Sequence, residues 1–179
     1  MTAHGTLPPQ PEPPTTLAVA VDVGAGYLGD IDGHHVDYGL SSHAAAEALV
    51  GIGWRRGKHT YLLRALVDEA PAALGQGTVR AAAIGPSYVS WDRLPLVDIP
   101  LELEIGAGIG GFERPGEHVH HGLDVFWGAG VPLSHAHDVL LAVRLSNLHS
   151  YSNFLSLWLP PFGDQQTMMF SVSLSWRPR

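Results

Sequence analysis

The chain has 179 residues, one domain's worth, of which 45% are apolar and only 15% are Asp, Glu, Lys or Arg, with a net charge of -7. That charged share falls well short of the ~25% typical of soluble domains, and the acidic balance leaves no basic surface for nucleic acid. There is no cysteine, which excludes disulfides, thiolate metal sites and cysteine nucleophiles.

No stretch approaches the ~18 uninterrupted apolar residues that a membrane helix needs. The N-terminus also lacks the charged, apolar and small-residue regions of a signal peptide, so an exported form would have lost its signal or carry Met1 in its place. Residues 1–16, MTAHGTLPPQPEPPTT, are Pro-rich and predict a disordered or extended lead-in. The fold is assigned to residues 17–179.

From Leu17 onward the apolar period is 2 rather than 3.6, the signature of strands with one apolar face. The first segment is about 17–28. The second, 36–54, contains HAAAEALV, which has helical propensity, but Val50, Ile52 and Trp54 alternate with Gly51 and Gly53 and predict a strand. Segments at 59–68 and 78–91 follow. In 98–110 the alternation is clearest, with Ile99, Leu101, Leu103, Ile105, Ala107 and Ile109 opposed to Asp98, Glu102, Glu104, Gly106 and Gly108. Segment 119–132 sets Leu123, Val125, Trp127, Ala129 and Val131 against Asp124, Gly128 and Gly130, and 137–150 sets Val139, Leu141, Val143 and Leu145 against Asp138, Arg144 and Ser146. The last carries Met168, Phe170, Val172, Leu174 and Trp176 against Ser171, Ser173 and Ser175. The prediction is all-β: an eight-stranded antiparallel up-and-down barrel.

Which face points inward decides the setting. A soluble barrel would bury the bulky faces and leave the Gly-, Ala- and Ser-rich faces to water. A transmembrane barrel turns the bulky faces to lipid and fills its lumen with small and charged residues. Scarce charge for a solvated exterior, and charges of both signs on the small-residue faces, favour lipid. Asp22, Glu47, Arg64, Arg80, Glu102, Glu104, Asp124 and Arg144 are expected to cross-pair inside as a plug.

Connection lengths agree, because outer-membrane barrels alternate short periplasmic turns with longer external loops. The connections at 55–58, 92–96 and 133–136 are short and those at 29–35, 69–77 and 151–164 are mostly longer. This places both termini in the periplasm and 151–164 outside a bacterial cell. Tyr27, Trp54, Tyr61, Trp91, Trp127 and Trp176 are expected near strand ends, as aromatic girdles.

Residues 144–164, RLSNLHSYSNFLSLWLPPFGD, carry candidate chemistry. His149, Ser150, Ser152 and Asn153, followed by Pro160, Pro161, Gly163 and Asp164, make this region resemble the lipid A deacylase (PagL-type) family. Those are eight-stranded outer-membrane barrels with a His-x-Ser-Asn motif at the outer end of the seventh strand and an acidic residue about a dozen positions after the Ser. The segments GLDVFWGAGVPLSHAHDVLLAVRLSN and GAGIGGF also look like the family's later strands, so the resemblance covers roughly the C-terminal half. The motif here reads His-Ser-Tyr-Ser-Asn, one residue longer, and Asp164 stands where the family usually has Glu. In a regular strand residues i and i+2 share a face, so Ser152 meets His149 only through a bulge or a strand ending near Ser150.

The resemblance implies ester hydrolysis of an acyl chain from lipopolysaccharide, with His149 as general base for Ser152, Asp164 orienting the imidazole and Asn153 donating to the oxyanion. Strand parity puts Asn147 and His149 on the outer wall, where a lipid A ester would lie, and Ser150 is the other candidate hydroxyl. The competing reading is a non-enzymatic small barrel of OmpA or OmpX type, structural or surface-binding, and a third is a soluble lipocalin-like carrier. The histidines at 118, 120, 121, 135 and 137 fall at opposite barrel ends and predict no metal site, and the Gly-rich runs lack the following helix of a phosphate cradle. No cofactor is expected; the expected partner is membrane lipid.

Overall fold

In the computed structural model, the described residues are 13–32, 43–71, 77–94, 98–113, 116, 118–150 and 165–178. Eight strands follow in chain order: β1 (Thr15–Asp32), β2 (His43–Arg56), β3 (His59–Pro71), β4 (Thr78–Leu94), β5 (Ile99–Glu113), β6 (His120–Pro132), β7 (Val139–Ser150) and β8 (Gln165–Trp176). Each pairs antiparallel with the next, and β1 pairs with β8, closing the barrel. Closure leaves no unpaired edge, which a sheet exposed to lipid requires.

Following paired residues around the wall from Leu17 through Trp54, Tyr61, Tyr88, Ile105, Trp127, Leu145 and Phe170 returns to β1 at Tyr27, ten residues further along. A stagger of that size tilts eight strands by about 40° from the axis. On β3 the outer face runs from Tyr61 through Leu63, Ala65 and Val67 to a bounding Glu69. At about 3.3 Å per residue and this tilt, that is roughly 20 Å, close to the apolar band of outer-membrane barrels.

The chain reverses between β2 and β3 through Gly57 and Lys58, with Arg56 paired to His59. Gly57 has φ of 60°, the left-handed first position that a two-residue hairpin of this kind requires of glycine. The connections 95–98 and 133–138 lie at the same end, with the first and last described residues; this is the turn end. Segments 33–42, 72–77, 114–119 and 151–164 join strands at the opposite, loop end.

Burial answers the question of faces. Ile105 and Ile109 are 58% and 67% exposed, whereas Glu104 and Asp124 are 7% and 1% exposed. Bulky apolar side chains look outward on all eight strands and the ionised set fills the middle, as the alternation predicts. The segment HAAAEALV belongs to β2 as a strand, with Ala45, Glu47 and Leu49 buried and Ala44, Ala46 and Ala48 outward. Barrel closure overrides its helical propensity; positions 36–42 of the expected segment lie outside the described residues.

The interior is not only small and charged. Ala18, Ala20, Leu62 and Val89 form an apolar cluster at the turn end. Leu28, Ala45, Ala70 and Met169 form another at the loop end, beside Ala81, Phe112 and Leu148. The ionic layer therefore lies between two apolar ones, where charge-assisted hydrogen bonds are stronger than in water.

Candidate functional site

The ionic layer centres on Asp22 of β1. Its carboxylate receives Arg64 Nη1 at 3.2 Å, Arg144 Nη2, Arg177 Nη1, and Ser175 Oγ at 2.6 Å. Arg144 also donates to Glu47 Oε1 at 2.6 Å, and Ser171 Oγ donates to Glu47 Oε2 at 2.7 Å. Arg64 Nε lies 2.5 Å from Glu104 Oε1 and donates to Ser87 Oγ at 3.0 Å. Arg177 Nη2 reaches Glu102 Oε1 at 3.3 Å, and Ser146 Oγ donates to Asp124 Oδ1 at 2.7 Å. All eight barrel strands thus contribute side chains to the interior network. The small cavity beside Arg64, Asp124 and Phe126 measures ≈ 10 Å³, about the least that holds one water. The arrangement is a plug.

The plug differs from expectation at three residues. Arg80 is not part of it: on β4 the buried series is Ala81, Gly85, Ser87 and Val89, so Arg80 has the outward parity and pairs with Glu69 on the outside at 3.4 Å. Asp68 is part of it, 2% exposed, because β3 continues past residue 68 to Pro71 and keeps even positions inward. Arg177 is the third, and lies one residue beyond β8. Asp68 was legible as an even position in phase with Arg64; nothing in the alternation marked Arg177. Carboxylates outnumber guanidinium groups six to three among the described buried residues: Asp22, Glu47, Asp68, Glu102, Glu104 and Asp124 against Arg64, Arg144 and Arg177.

Of the candidate catalytic residues, Asn147 is half-buried on β7, paired with Val125 and Met168 among outward-facing neighbours. The backbones of His149 and Ser150 close the described part of β7, opposite Leu123 and Gly122 on one side and Gln166 and Gln165 on the other. Ser152, Asn153 and Asp164 lie outside the described residues.

The girdle is partly as expected. Trp54, Tyr61 and Trp176 are exposed at the turn end and Tyr27 at the other. Trp54 stacks on Tyr61 at 6.0 Å, Tyr61 meets Tyr88 at 5.4 Å, and the Tyr88 hydroxyl lies 2.5 Å from His59 Nδ1. Two aromatics depart. Trp127 lies within the apolar band, five residues before the end of β6. Trp91, in phase with buried Val89, is half-buried at the turn-end mouth and stacks on His137 at 5.9 Å. His118, His120 and His121 sit at the loop end and His135 and His137 at the turn end, as the topology predicts.

No protein-family model matches the chain, and no curated protein matches it in sequence. Among solved structures it is similar to Neisserial surface protein A (NspA), at 12% identity and a TM-score of 0.56, over 91% of this chain and 98% of that one. It is also similar to Ail, the attachment invasion locus protein of Yersinia pestis, at 9% identity and a TM-score of 0.55, over 90% of this chain and 98% of that one. A structure of Ail in complex with the heparin analogue sucrose octasulfate aligns at 8% identity and a TM-score of 0.50, over 90% of this chain and 99% of that one. The shared property is the fold, a closed eight-stranded antiparallel barrel of the kind found in bacterial outer membranes. The outer-membrane address expected from the sequence agrees with that fold and with the apolar exterior.

Proposed function

We propose that this chain is a non-enzymatic outer-membrane barrel that works by contact at the cell surface, its β-wall serving as a closed, rigid mount for the external connections. The observation that carries this reading is the plugged lumen. With apolar layers at both ends and Arg64, Arg144 and Arg177 tied to carboxylates between them, the described residues of the interior leave no route for solute. Function then falls to the rim. The connection from β7 to β8 holds Phe154, Leu155, Leu157, Trp158, Leu159 and Phe162, a composition suited to an apolar surface on a partner. The fold likeness to Neisserial surface protein A and to the attachment invasion locus protein Ail supports the same class.

The test is adhesion of bacteria expressing the chain to protein-coated surfaces, against a variant with Leu155, Trp158 and Phe162 changed to Ser. The reading expects a gain over empty vector that the variant loses while still folding. Equal adhesion in all three strains would refute it.

A second reading is lipid A ester hydrolysis by His149, Ser152 and Asp164. It is favoured by the position of His149, whose backbone pairs with Gln166 at the loop end of β7. At that end an acyl ester of the external leaflet would be in reach. Mass spectrometry of lipid A after incubation with refolded protein tests it, with His149→Ala, Ser150→Ala and Ser152→Ala as controls.

A further inference from the structure

Four consecutive strands bring an inward series of opposite charges and glycines to one level of the lumen. Arg64 of β3 is in register with Gly85 of β4, and Gly108 of β5 with Asp124 of β6. Ile84 pairs with Ile109, which sets Gly85 beside Gly108. A cation and an anion are therefore separated around the wall by two positions without side chains. Neither glycine is replaceable without a shift, because a Cβ at Gly85 would meet the Ala107 carbonyl and one at Gly108 the Ile84 carbonyl. Arg64, Asp124 and the two glycines line a cavity of ≈ 10 Å³, closed by Leu49, Leu66 and Phe126.

Each of the two charged residues lining this cavity has one atom to spare. Arg64, 2% exposed, commits Nε to Ser87 and Glu104 and Nη1 to Asp22, and its Nη2 has no partner among the described residues. Asp124, 1% exposed, accepts Ser146 Oγ on Oδ1, and its Oδ2 has no partner among the described residues. A buried charged group left short of a hydrogen bond is costly. An occupant that relieves both must accept from the guanidinium N–H and donate to the carboxylate oxygen. It must also be uncharged, since the guanidinium repels a cation and the carboxylate an anion, and it must fit a volume of about one water. Only water has those properties at that size.

We propose that this cavity is the binding site of one internal water molecule that accepts from Arg64 Nη2 and donates to Asp124 Oδ2. Through it the Asp124–Ser146 pair of β6 and β7 joins the ion cluster that Arg64 shares with Asp22 and Glu104, so that the plug is one connected network. Apolar clusters lie toward either end of the barrel, and a water held between them exchanges slowly with bulk solvent. The site rests on the packing of the interior and is independent of what the external rim contacts.

The test has two arms, both on the refolded full chain. A crystal structure is expected to show one density peak at about 2.7–3.2 Å from both Arg64 Nη2 and Asp124 Oδ2; this arm needs no variant. In nanodiscs with isotope-labelled leucine methyls, NMR cross-relaxation from water is expected at Leu49 and Leu66. That signal should be lost in D124L, which leaves the water a single polar partner, and kept in D124N, whose side-chain oxygen still accepts. The retention of β-barrel mobility on unheated gels reports folding of each variant separately, so a failed barrel is distinguishable from a failed site. A direct Arg64–Asp124 bond with no peak between them, a peak in contact with only one of the two atoms, or a methyl signal that persists in folded D124L would each overturn the proposal.

Discussion

Arg177, beyond the end of β8, donates to both carboxylate oxygens of Asp22 in the middle of β1. Its backbone N–H donates to Asp138 O at 2.7 Å in the connection before β7, and its Nη2 reaches Glu102 on β5. One residue thus ties the closing β1–β8 seam to the opposite wall. Removing one partner of a buried ion pair leaves the other uncompensated, at about 3–5 kcal/mol. Arg177→Gln should lower stability by that order in urea titrations of the vesicle-inserted barrel. Arg80→Gln, which breaks an exposed pair, should change it by less than about 1 kcal/mol.

The same seam is intolerant of side chains at Gly26. A Cβ there would meet the backbone carbonyl of Phe170 and the Cα of Ser171 on β8, which have no rotamer to yield. Gly130 on β6 meets only side-chain atoms of Leu140 and Ala142, at 3.4 Å and beyond. Gly26→Ala should therefore destabilise by about 1–3 kcal/mol, and Gly130→Ala by less than about 0.5 kcal/mol, read from the same titration midpoints.

Charge on the outer wall should be penalised by depth. Val50 lies midway along the outward face of β2, between Ala46 and Trp54, and Ala44 lies near its loop end. Val50→Arg is expected to cost about 2–4 kcal/mol and Ala44→Arg about 0–1 kcal/mol. Equal costs would mean that the wall does not meet a graded hydrocarbon layer.

Lipopolysaccharide incubated with the refolded barrel should return lipid A of unchanged mass. A loss of one acyl group that disappears in both His149→Ala and Ser152→Ala would instead establish the esterase reading.

The fold was legible because strand parity needs only residue size. Ile99 to Ile109 alternate with Glu102, Glu104 and glycines, a period that no helix accommodates, and the scarcity of charge favours turning the bulky face to lipid. Parity misled only where its phase was not tracked to the strand's end. Arg80, expected inside, is out of phase with Ser87 and faces outward, whereas Asp68 is in phase with Arg64 and faces inward. Trp91, expected in the girdle, shares parity with the buried Val89. Arg177 was not legible at all, because its burial depends on how the chain leaves β8. Asp98, with φ of 50°, is a turn residue rather than the first of the strand. The apolar layers above and below the ions do not show in the alternation. They arise from inward Leu and Phe at strand ends, where the alternation counts a bulky residue on the wrong face. The motif around His149 was visible as residue types, but chemistry requires distances, and three of its members lie outside the described residues.

The most direct test of the account uses the absence of native cysteine. Single cysteines at each position from Leu101 to Ile109 on β5, carrying a fluorophore in reconstituted vesicles, would be exposed in turn to a quencher confined to the lipid acyl chains. The account predicts strong quenching at 101, 103, 105, 107 and 109 and weak quenching at 102, 104, 106 and 108. The reverse alternation, or uniform quenching, would contradict the outward orientation of the apolar face.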